Sequence, residues 1–261
     1  MHVLVFDSGV GGLSILEELQ RVSPQRQYSY LFDNLYFPYG ELEEQQLITR
    51  VLQLLSKAVN QLKPDLVVIA CNSASTLSLP SLRETLSIPV VGVVPAIKSA
   101  ANKSLTRHFG VLATPGTVER TYTEQLIADF AKDCRVELLG STLLVQLAEQ
   151  KLAGETIALP DIEQALAPWL LFEDLDCVVL GCTHFPLLKV ELQQVLGSKV
   201  SLVDSGAAIA NRVNSLLLDS EALASGQKKA EAHAYCTMHS ANSTLLNQLQ
   251  SYQLSSLQLF T

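Results

Sequence analysis

Two cysteines, Cys71 and Cys182, stand in matching surroundings and are the residues best suited to chemistry. Cys71 follows the apolar run VVIA and opens CNSAS (71–75), whereas Cys182 follows VVLG and opens CTHFP (182–186). Such runs are typical of buried parallel strands, and ligands bind where these strands end. The N–H groups of a following helix lower the pKa of a thiol there. The remaining cysteines lack these neighbours, and we interpret them as apolar fillers: Cys134, Cys177 and Cys236.

Three kinds of chemistry suit two thiols from two similar halves. A dithiol could cycle between redox states. Two thiolates and one imidazole could bind a metal, although such a set from distant loops is a weak zinc signal. Inversion of a carbon stereocentre needs a base on one face and an acid on the other, and two thiols facing each other supply both. The residues alone leave these alternatives open.

Polar residues accompany each cysteine. Asn72 and Ser73 follow Cys71, where a helix is expected to begin, and Thr183 and His184 follow Cys182. His184 lies two residues beyond the thiol, and Pro186 is well placed to open a helix. His184 is therefore a candidate for tuning the pKa of the thiol.

The first strand runs into FDSGVGGLS (6–14), whose glycines allow a ligand to approach the backbone closely. Neither the lysine of a phosphate-binding loop nor the glycine spacing of a dinucleotide fingerprint is present in this segment. Asp7 is expected to point into the site and to orient a thiol or share its proton. Ser8 is expected either to join it or to cap the helix that begins at Leu13.

Two further loops offer candidate binding groups. FPYGE (37–41) has the composition of a turn, in which Tyr39 and Gly40 could offer a hydroxyl and a backbone N–H to a carboxylate. TPGT (114–117) follows the strand FGVLA as DSGVGG follows HVLVF, and it supplies Thr114 and Thr117. Glu149 lies in the helical pattern LLVQLAEQ, where the default interpretation is a solvated side chain.

Short apolar runs alternating with amphipathic segments predict parallel sheets covered by helices on both sides, an α/β fold. One such helix is predicted over residues 41–62. Nine strands are too many for one economical sheet, and the repeated strand, loop and cysteine pattern predicts two related α/β layers. The predicted strands are 2–6, 28–32, 65–70, 89–94, 109–113, 135–139, 176–181, 200–204 and 232–238.

Composition narrows the function further. Hydrophobic residues make up 48 % of the 261 residues, which is enough for large cores. The net charge of −8 argues against a nucleic-acid groove, which needs a basic face. No apolar run approaches the roughly 18 residues of a membrane span, and MHVLVFDSG lacks the basic start of a signal peptide. The five cysteines are widely spaced and odd in number, so we expect a cytoplasmic protein without a disulfide framework.

The chain resembles the glutamate racemases, cofactor-independent isomerases of the aspartate/glutamate racemase superfamily. DSGVGGLS, FPYGE, ACNSAS, GVLATPGTV, LGCTHFPLL and VDSG occur in the family's order along almost the whole chain. Ser73 departs from the usual threonine but keeps the hydroxyl. The resemblance implies two pseudo-symmetric, doubly wound domains with the active site in the cleft between them. Residues 1–96 with 209–261 would form the first domain, and residues 97–208 the second.

The resemblance also implies roles. Cys71 and Cys182 would be the acid/base thiols, with Asp7 assisting the first and His184, together with Glu149, the second. Residues that would hold the substrate are Asp7, Ser8, Tyr39, Gly40, Asn72, Ser73, Thr183 and His184. The resemblance further implies that the enzyme needs no cofactor, acts on L- and D-glutamate, supplies D-glutamate for peptidoglycan and forms a homodimer.

FDNLYFPYGEL (32–42) is similar to members from Gram-negative bacteria that are activated by UDP-N-acetylmuramoyl-L-alanine, which implies the same activator here. Aspartate racemases typically have a glutamate where His184 stands, which argues against aspartate as the substrate. A dithiol redox protein and a non-catalytic amino-acid-binding module are the alternatives outside the racemases.

Overall fold

The structure, a computed structural model, describes residues 1–221, 232–239 and 243–261. The chain divides into two compact units: one comprises Met1–Val93 and Gly206–Thr261, and the other comprises Val94–Ser205. Both are α/β units in which every strand pairing is parallel.

The strands, in chain order, are β1 His2–Asp7, β2 Gln27–Phe32, β3 Leu66–Ile69, β4 Val90–Gly92, β5 His108–Ala113, β6 Arg135–Gly140, β7 Cys177–Leu180, β8 Ser201–Val203, β9 Ala234–Cys236 and β10 Leu257–Leu259. The α-helices are α1 Leu13–Val22, α2 Glu44–Leu62, α3 Asn72–Thr85, α4 Ile97–Lys103, α5 Pro115–Val118, α6 Thr121–Phe130, α7 Thr142–Leu152, α8 Leu159–Leu166, α9 Lys189–Leu196, α10 Gly206–Glu221 and α11 Ser243–Ser251. All nine predicted strands are confirmed, and β10 is an addition.

The second sheet repeats the order of four strands of the first. The first unit has the order β10-β9-β2-β1-β3-β4, and the second has β6-β5-β7-β8. The four strands β2-β1-β3-β4 therefore correspond one by one to β6-β5-β7-β8. This correspondence confirms the predicted pair of related α/β layers. Strands β9 and β10, from the C-terminal part of the chain, extend the first sheet beyond β2.

Burial explains why these segments form sheets and covering helices. All four residues of β3 are buried, as expected for a strand covered on both faces. Helix α2 buries one apolar stripe, and each fully buried leucine contributes about 1.5–3 kcal/mol. The buried residues of α2 are Leu47, Val51, Leu54, Leu55 and Ala58. The helix begins three residues later than predicted because Tyr39–Glu41 form a separate 3-10 turn.

The strand order predicts a crevice in each unit at the carboxyl ends of two neighbouring strands, β1 and β3 in the first unit and β5 and β7 in the second. From β1 the chain moves to β2 on one side and then to β3 on the other, so loops leave the ends of β1 and β3 in opposite directions. Ligands bind at such points in parallel α/β sheets. Asp7 ends β1, and Cys71 follows β3. In the second unit, Thr114 follows β5 and Cys182 follows β7. Within the described ranges, no helix is long and apolar enough to cross a membrane.

Candidate active site

Cys71 is the N-cap residue of α3. Its backbone is extended, with φ −60° and ψ 115°, and its sulfur accepts the N–H of Ala74 at 3.4 Å. The thiol donates to the Ser8 hydroxyl at a distance of 3.7 Å. Cys71 is 5 % exposed and is therefore almost completely buried. The predicted location at the start of a helix is confirmed.

Asp7 lies beneath the glycine-rich loop and is fully buried. Its Oδ1 accepts the N–H of Ser8 at 2.7 Å. Gly12 packs directly on it, because a Cβ at position 12 would lie 2.8 Å from the Asp7 Cβ and 2.9 Å from the Tyr30 hydroxyl. Ser8 is not the cap of α1, since Gly12 holds that position without a side-chain bond. Asp7, Ser8 and Cys71 therefore form one buried polar group.

Tyr39 belongs to the same buried cluster as Cys71, but its hydroxyl faces another partner. It donates to Oδ2 of Asp33 at 2.6 Å, and Arg50 pairs with the same carboxylate at 2.7 and 2.8 Å. Burial, reinforced by the Asp33 charge, raises the pKa of Tyr39, so the phenol stays protonated. Its proton is directed at Asp33. Binding of a substrate carboxylate by Tyr39 stays a prediction. Gly40 follows in the 3-10 turn and is half-buried.

Asp33 is the polar residue of this half that the sequence interpretation missed. Asp33 directly follows β2, and Asp7 is the last residue of the neighbouring strand β1. The N–H of Asp33 donates to the Asp7 carbonyl at 3.0 Å. The signal was present in the sequence. An aspartate after the apolar run YSYLF occupies the same sheet edge as Asp7, and the same argument applies to both.

Cys182 has an imidazole as its close polar partner. The sulfur lies 3.7 Å from Nδ1 of His184, and Nε2 of the same ring lies 2.7 Å from Oε1 of Glu149. Burial alone lowers the pKa of His184, but hydrogen bonds and charges from Cys182 and Glu149 outweigh it and raise the pKa well above 6.5. The imidazole therefore lies between a carboxylate and a sulfur, a position that favours its protonated form.

The backbone around Cys182 differs from the prediction. Pro186 is the second residue of a four-residue 3-10 helix, Phe185–Leu188, and the α-helix α9 begins only at Lys189. Cys182 thus lacks the full helix that begins beside Cys71, and the imidazole supplies positive charge instead. Gly181 is needed for the approach of the strands, because a Cβ there would lie 3.0 Å from the Leu112 carbonyl oxygen.

Glu149 is positioned by α7. Its side chain is partly exposed but pairs with His184, which the helical pattern did not suggest. The helix begins at Ser141, whose Oγ accepts the N–H of Leu144 at 3.2 Å. Near its other end, Lys151 donates to the Leu187 carbonyl at 2.9 Å, tying α7 to the 3-10 helix that follows His184. Both contacts fix the distance between Glu149 and the imidazole.

The remaining candidates are buried hydroxyl and amide groups. Asn72 and Ser73 are the first residues of α3, and Thr183 follows the second thiol. Thr114 precedes α5 and Thr117 lies within it, in the segment that matches DSGVGG, and their hydroxyls are 2.9 Å apart. Their contribution to substrate binding stays a prediction.

The other three cysteines have the surroundings of packing residues. Burial raises the pKa of Cys177 to about 11, and it also raises the pKa of the partly exposed Cys134. Cys236 is buried and donates to the Gln258 carbonyl at 3.6 Å. Among residues 1–221, 232–239 and 243–261, no three His, Cys, Asp or Glu side chains are grouped to hold a metal ion.

Comparison with known proteins gives a consistent result over the whole chain. A sequence model of the Asp/Glu/Hydantoin racemase family matches residues 13–213. The glutamate racemase of Serratia proteamaculans is 54 % identical over 258 residues, which are 98 % of this chain and 89 % of the relative. That of Vibrio campbellii is also 54 % identical, over 97 % of this chain and 96 % of its own.

Solved structures agree. The crystal structure of Escherichia coli glutamate racemase in complex with L-glutamate and the activator UDP-MurNAc-Ala superposes with a TM-score of 0.93 at 47 % identity. It covers 100 % of this chain and 98 % of its own. The glutamate racemase isoform RacE1 of Bacillus anthracis has a TM-score of 0.84 at 28 % identity, covering 97 % and 95 % of the two chains.

Proposed function

Because the chain belongs to the Asp/Glu/Hydantoin racemase family, we propose that it interconverts L- and D-glutamate by proton transfer between two cysteines and the α-carbon. The observation that carries this proposal is the equivalence of the thiols. Cys71 and Cys182 follow corresponding strands, β3 and β7, in two sheets of the same order.

The chemical problem is the weak acidity of a C–H bond beside an ionised carboxylate. One cysteine, as thiolate, removes the α-proton, and the other, as thiol, delivers a proton to the opposite face. Roles exchange in the reverse direction, and no electrons leave the substrate. Donors around the α-carboxylate stabilise the carbanion, and exclusion of water strengthens them. The reaction needs no cofactor in this scheme.

In the first half, Cys71 works with Asp7 and Ser8. The Ser8 hydroxyl accepts from the thiol at 3.7 Å, and Asp7 accepts the Ser8 N–H at 2.7 Å. The proton on the sulfur is therefore hydrogen-bonded to Ser8, which Asp7 holds in place. The N–H of Ala74 supports negative charge on the sulfur when the thiol ionises. Asn72 and Ser73, at the start of the same helix, would bind the substrate.

In the second half, Cys182 works with His184 and Glu149. The His184 ring lies beside the sulfur and hydrogen-bonds Glu149, so it can take up or release a proton next to the reacting thiol. Thr183 and the pair Thr114 and Thr117 would complete the binding groups of this half. Either thiol can begin the reaction, depending on which enantiomer is bound.

The relatives supply the substrate, the activator and the biological setting of the proposal. The curated relatives are glutamate racemases, and one solved structure holds L-glutamate with UDP-MurNAc-Ala. We infer that the same nucleotide activates this chain and that its D-glutamate enters peptidoglycan. Such an enzyme would act in the cytoplasm, and we infer a homodimer. Residues 1–96 with 209–261 and residues 97–208 would be its two domains.

The experiment follows the α-proton of L-glutamate by NMR in D₂O together with optical rotation, using the purified protein with and without UDP-N-acetylmuramoyl-L-alanine. We expect the signal and the rotation to disappear together. Cys71→Ser and Cys182→Ser should each abolish both changes, whereas Cys134→Ser should leave them intact. Activity that needs the nucleotide would establish the activator as well.

Two outcomes would overturn the proposal. If aspartate racemises and glutamate does not, the substrate assignment is wrong and the two-thiol mechanism stands. If neither amino acid exchanges its α-proton under any condition, the mechanism is wrong as well. In that case, reversible oxidation of both thiols would identify a dithiol redox protein.

A further inference from the structure

The carboxylate of Asp33 is saturated with hydrogen bonds. A carboxylate has about four acceptor positions, two on each oxygen. Oδ2 accepts from the Tyr39 hydroxyl at 2.6 Å and from Nε of Arg50 at 2.7 Å. Oδ1 accepts from Nη2 of Arg50 at 2.8 Å and from the Thr237 hydroxyl at 2.5 Å. Asp33 is fully buried, so each donor satisfies a position that water does not reach.

One of these donors comes from a distant part of the chain. Thr237 is 204 positions from Asp33 and directly follows β9, the strand that pairs with β2. Its hydroxyl also accepts the N–H of Leu35 at 3.2 Å. Thr237 therefore links the C-terminal return of the chain to the loop between β2 and α2, which contains FPYGE (37–41).

Asn34 fixes the position of Thr237. Its Oδ1 accepts the N–H groups of Thr237 and Met238 at 3.1 and 2.9 Å, and its Nδ2 donates to the Met238 carbonyl at 2.8 Å. These three bonds hold the end of β9 against the residue that follows Asp33. The Thr237 hydroxyl is thus directed by backbone contacts and not only by its own rotamer.

We propose that Thr237 is a positioning residue for the FPYGE loop: by completing the hydrogen bonding of Asp33, it fixes the carboxylate that holds Tyr39 and thereby residues 39–40. This inference rests on the proposed function and on the expectation from the sequence that the backbone N–H of Gly40 binds a carboxylate of the substrate. Without the Thr237 donor, a buried charge lacks one partner, and Asp33 can regain it only by shifting. Tyr39 and Arg50 then move with it.

The test compares Thr237→Val, which keeps the shape and removes the donor, with Thr237→Ser, which keeps the hydroxyl. Thr85→Val is the matched control, because the Thr85 hydroxyl bonds only within α3, to the Ser81 carbonyl at 2.7 Å, on an exposed surface. Activity towards glutamate is measured at a temperature well below the unfolding temperature of each variant. Urea unfolding gives the stability of each.

We expect Thr237→Val to raise KM for glutamate roughly tenfold, with kcat within about twofold, because loss of binding shared by substrate and transition state appears in KM. Thr237→Ser should restore KM, and Thr85→Val should match the parent. A purely structural role would lower the stability of Thr237→Val and leave KM unchanged. That result, with an active parent enzyme, would overturn this inference alone; an inactive parent would overturn the proposed function with it.

A double-mutant cycle tests the route through Tyr39. If Thr237 acts through Asp33 and Tyr39, adding Thr237→Val to Tyr39→Phe should raise KM by less than Thr237→Val does in the parent. Fully additive effects would contradict the route. If Thr237→Val does not fold, Asn34→Ala replaces it, because it loosens Thr237 and leaves its hydroxyl in place. KM should again rise, and an unchanged KM would refute the inference.

Discussion

Oε1 of Glu149 lies 2.7 Å from one nitrogen of His184, and the sulfur of Cys182 lies 3.7 Å from the other. The ring therefore links a carboxylate to a thiol. Cys71, at the equivalent position of the first sheet, has a hydroxyl and a helix N–H as its neighbours instead. The two halves match in topology, but they support their thiols by different chemistry.

This difference predicts an asymmetric response to Glu149→Gln. Loss of the charged hydrogen bond to His184 should lower kcat/KM roughly tenfold. The value must fall equally in both directions, because the enantiomers have equal free energy. The primary isotope effect with α-deuterated glutamate should rise only in the direction in which Cys182 removes the proton. Glu163→Gln, on the exposed face of α8, is the control; equal isotope effects in both directions would contradict the expectation.

His184 also predicts how stability changes with pH. Its pKa in the folded protein is raised well above 6.5, so the folded state binds this proton more tightly than the unfolded chain. The stabilisation is complete below pH 6.5 and is lost as the pH rises through the folded pKa. Urea unfolding should show the largest difference between the parent and His184→Asn below pH 6.5 and a smaller one in alkaline buffer. A difference independent of pH would refute the assignment.

Gly12→Ala should disturb Asp7. The added Cβ would lie 2.8 Å from the Asp7 Cβ, and overpacking of this kind costs about 1–3 kcal/mol. We expect a loss of stability together with a loss of kcat. Gly110→Ala is the matched control, because its Cβ would meet the Trp169 ring at 2.7 Å in the other unit. It should lower stability with a smaller effect on kcat, and equal losses of kcat would argue against a role for Asp7.

Alkylation should distinguish the buried Cys177 from the partly exposed Cys134 by their rates of modification. The pKa of Cys177 is raised to about 11 by burial, and its side chain is 1 % exposed. Iodoacetamide at pH 8 should leave it unmodified in the folded protein and modify it in guanidinium chloride, as followed by peptide mass spectrometry. The partly exposed Cys134 serves as the internal reference. Modification of Cys177 at the rate of Cys134 would show that the strand opens readily.

Apolar runs predicted strands such as β3, β5 and β7 well because all of their residues are buried and their sequences are continuous. Strand β6 is only partly buried and was found from its run RVELL. Strand β10 was missed because Leu257–Leu259 has a polar residue between two leucines, and among the strands that the structure describes it pairs with β9 alone. The matched cysteines and their loops were also visible in sequence, since the residues that follow a parallel strand share one edge of the sheet.

Contacts between segments that are far apart in the chain could not be predicted from sequence patterns. Glu149 and His184 are 35 positions apart, and their pairing depends on how α7 lies against the 3-10 helix after His184. From the helical pattern alone, Glu149 is an ordinary surface residue. Ser8 has the right type and position for a helix cap, yet the glycine-rich loop places Gly12 there and leaves Ser8 beside the thiol.

The sulfur of Cys71 caps α3 by accepting the N–H of Ala74 at 3.4 Å. Serine is among the preferred residues at such a position, and a hydroxyl oxygen is a stronger acceptor than sulfur. The atom that best secures the helix is therefore not the atom that best transfers a proton. Under the proposed mechanism, selection for heat resistance alone would favour Cys71→Ser, a more stable protein without racemase activity.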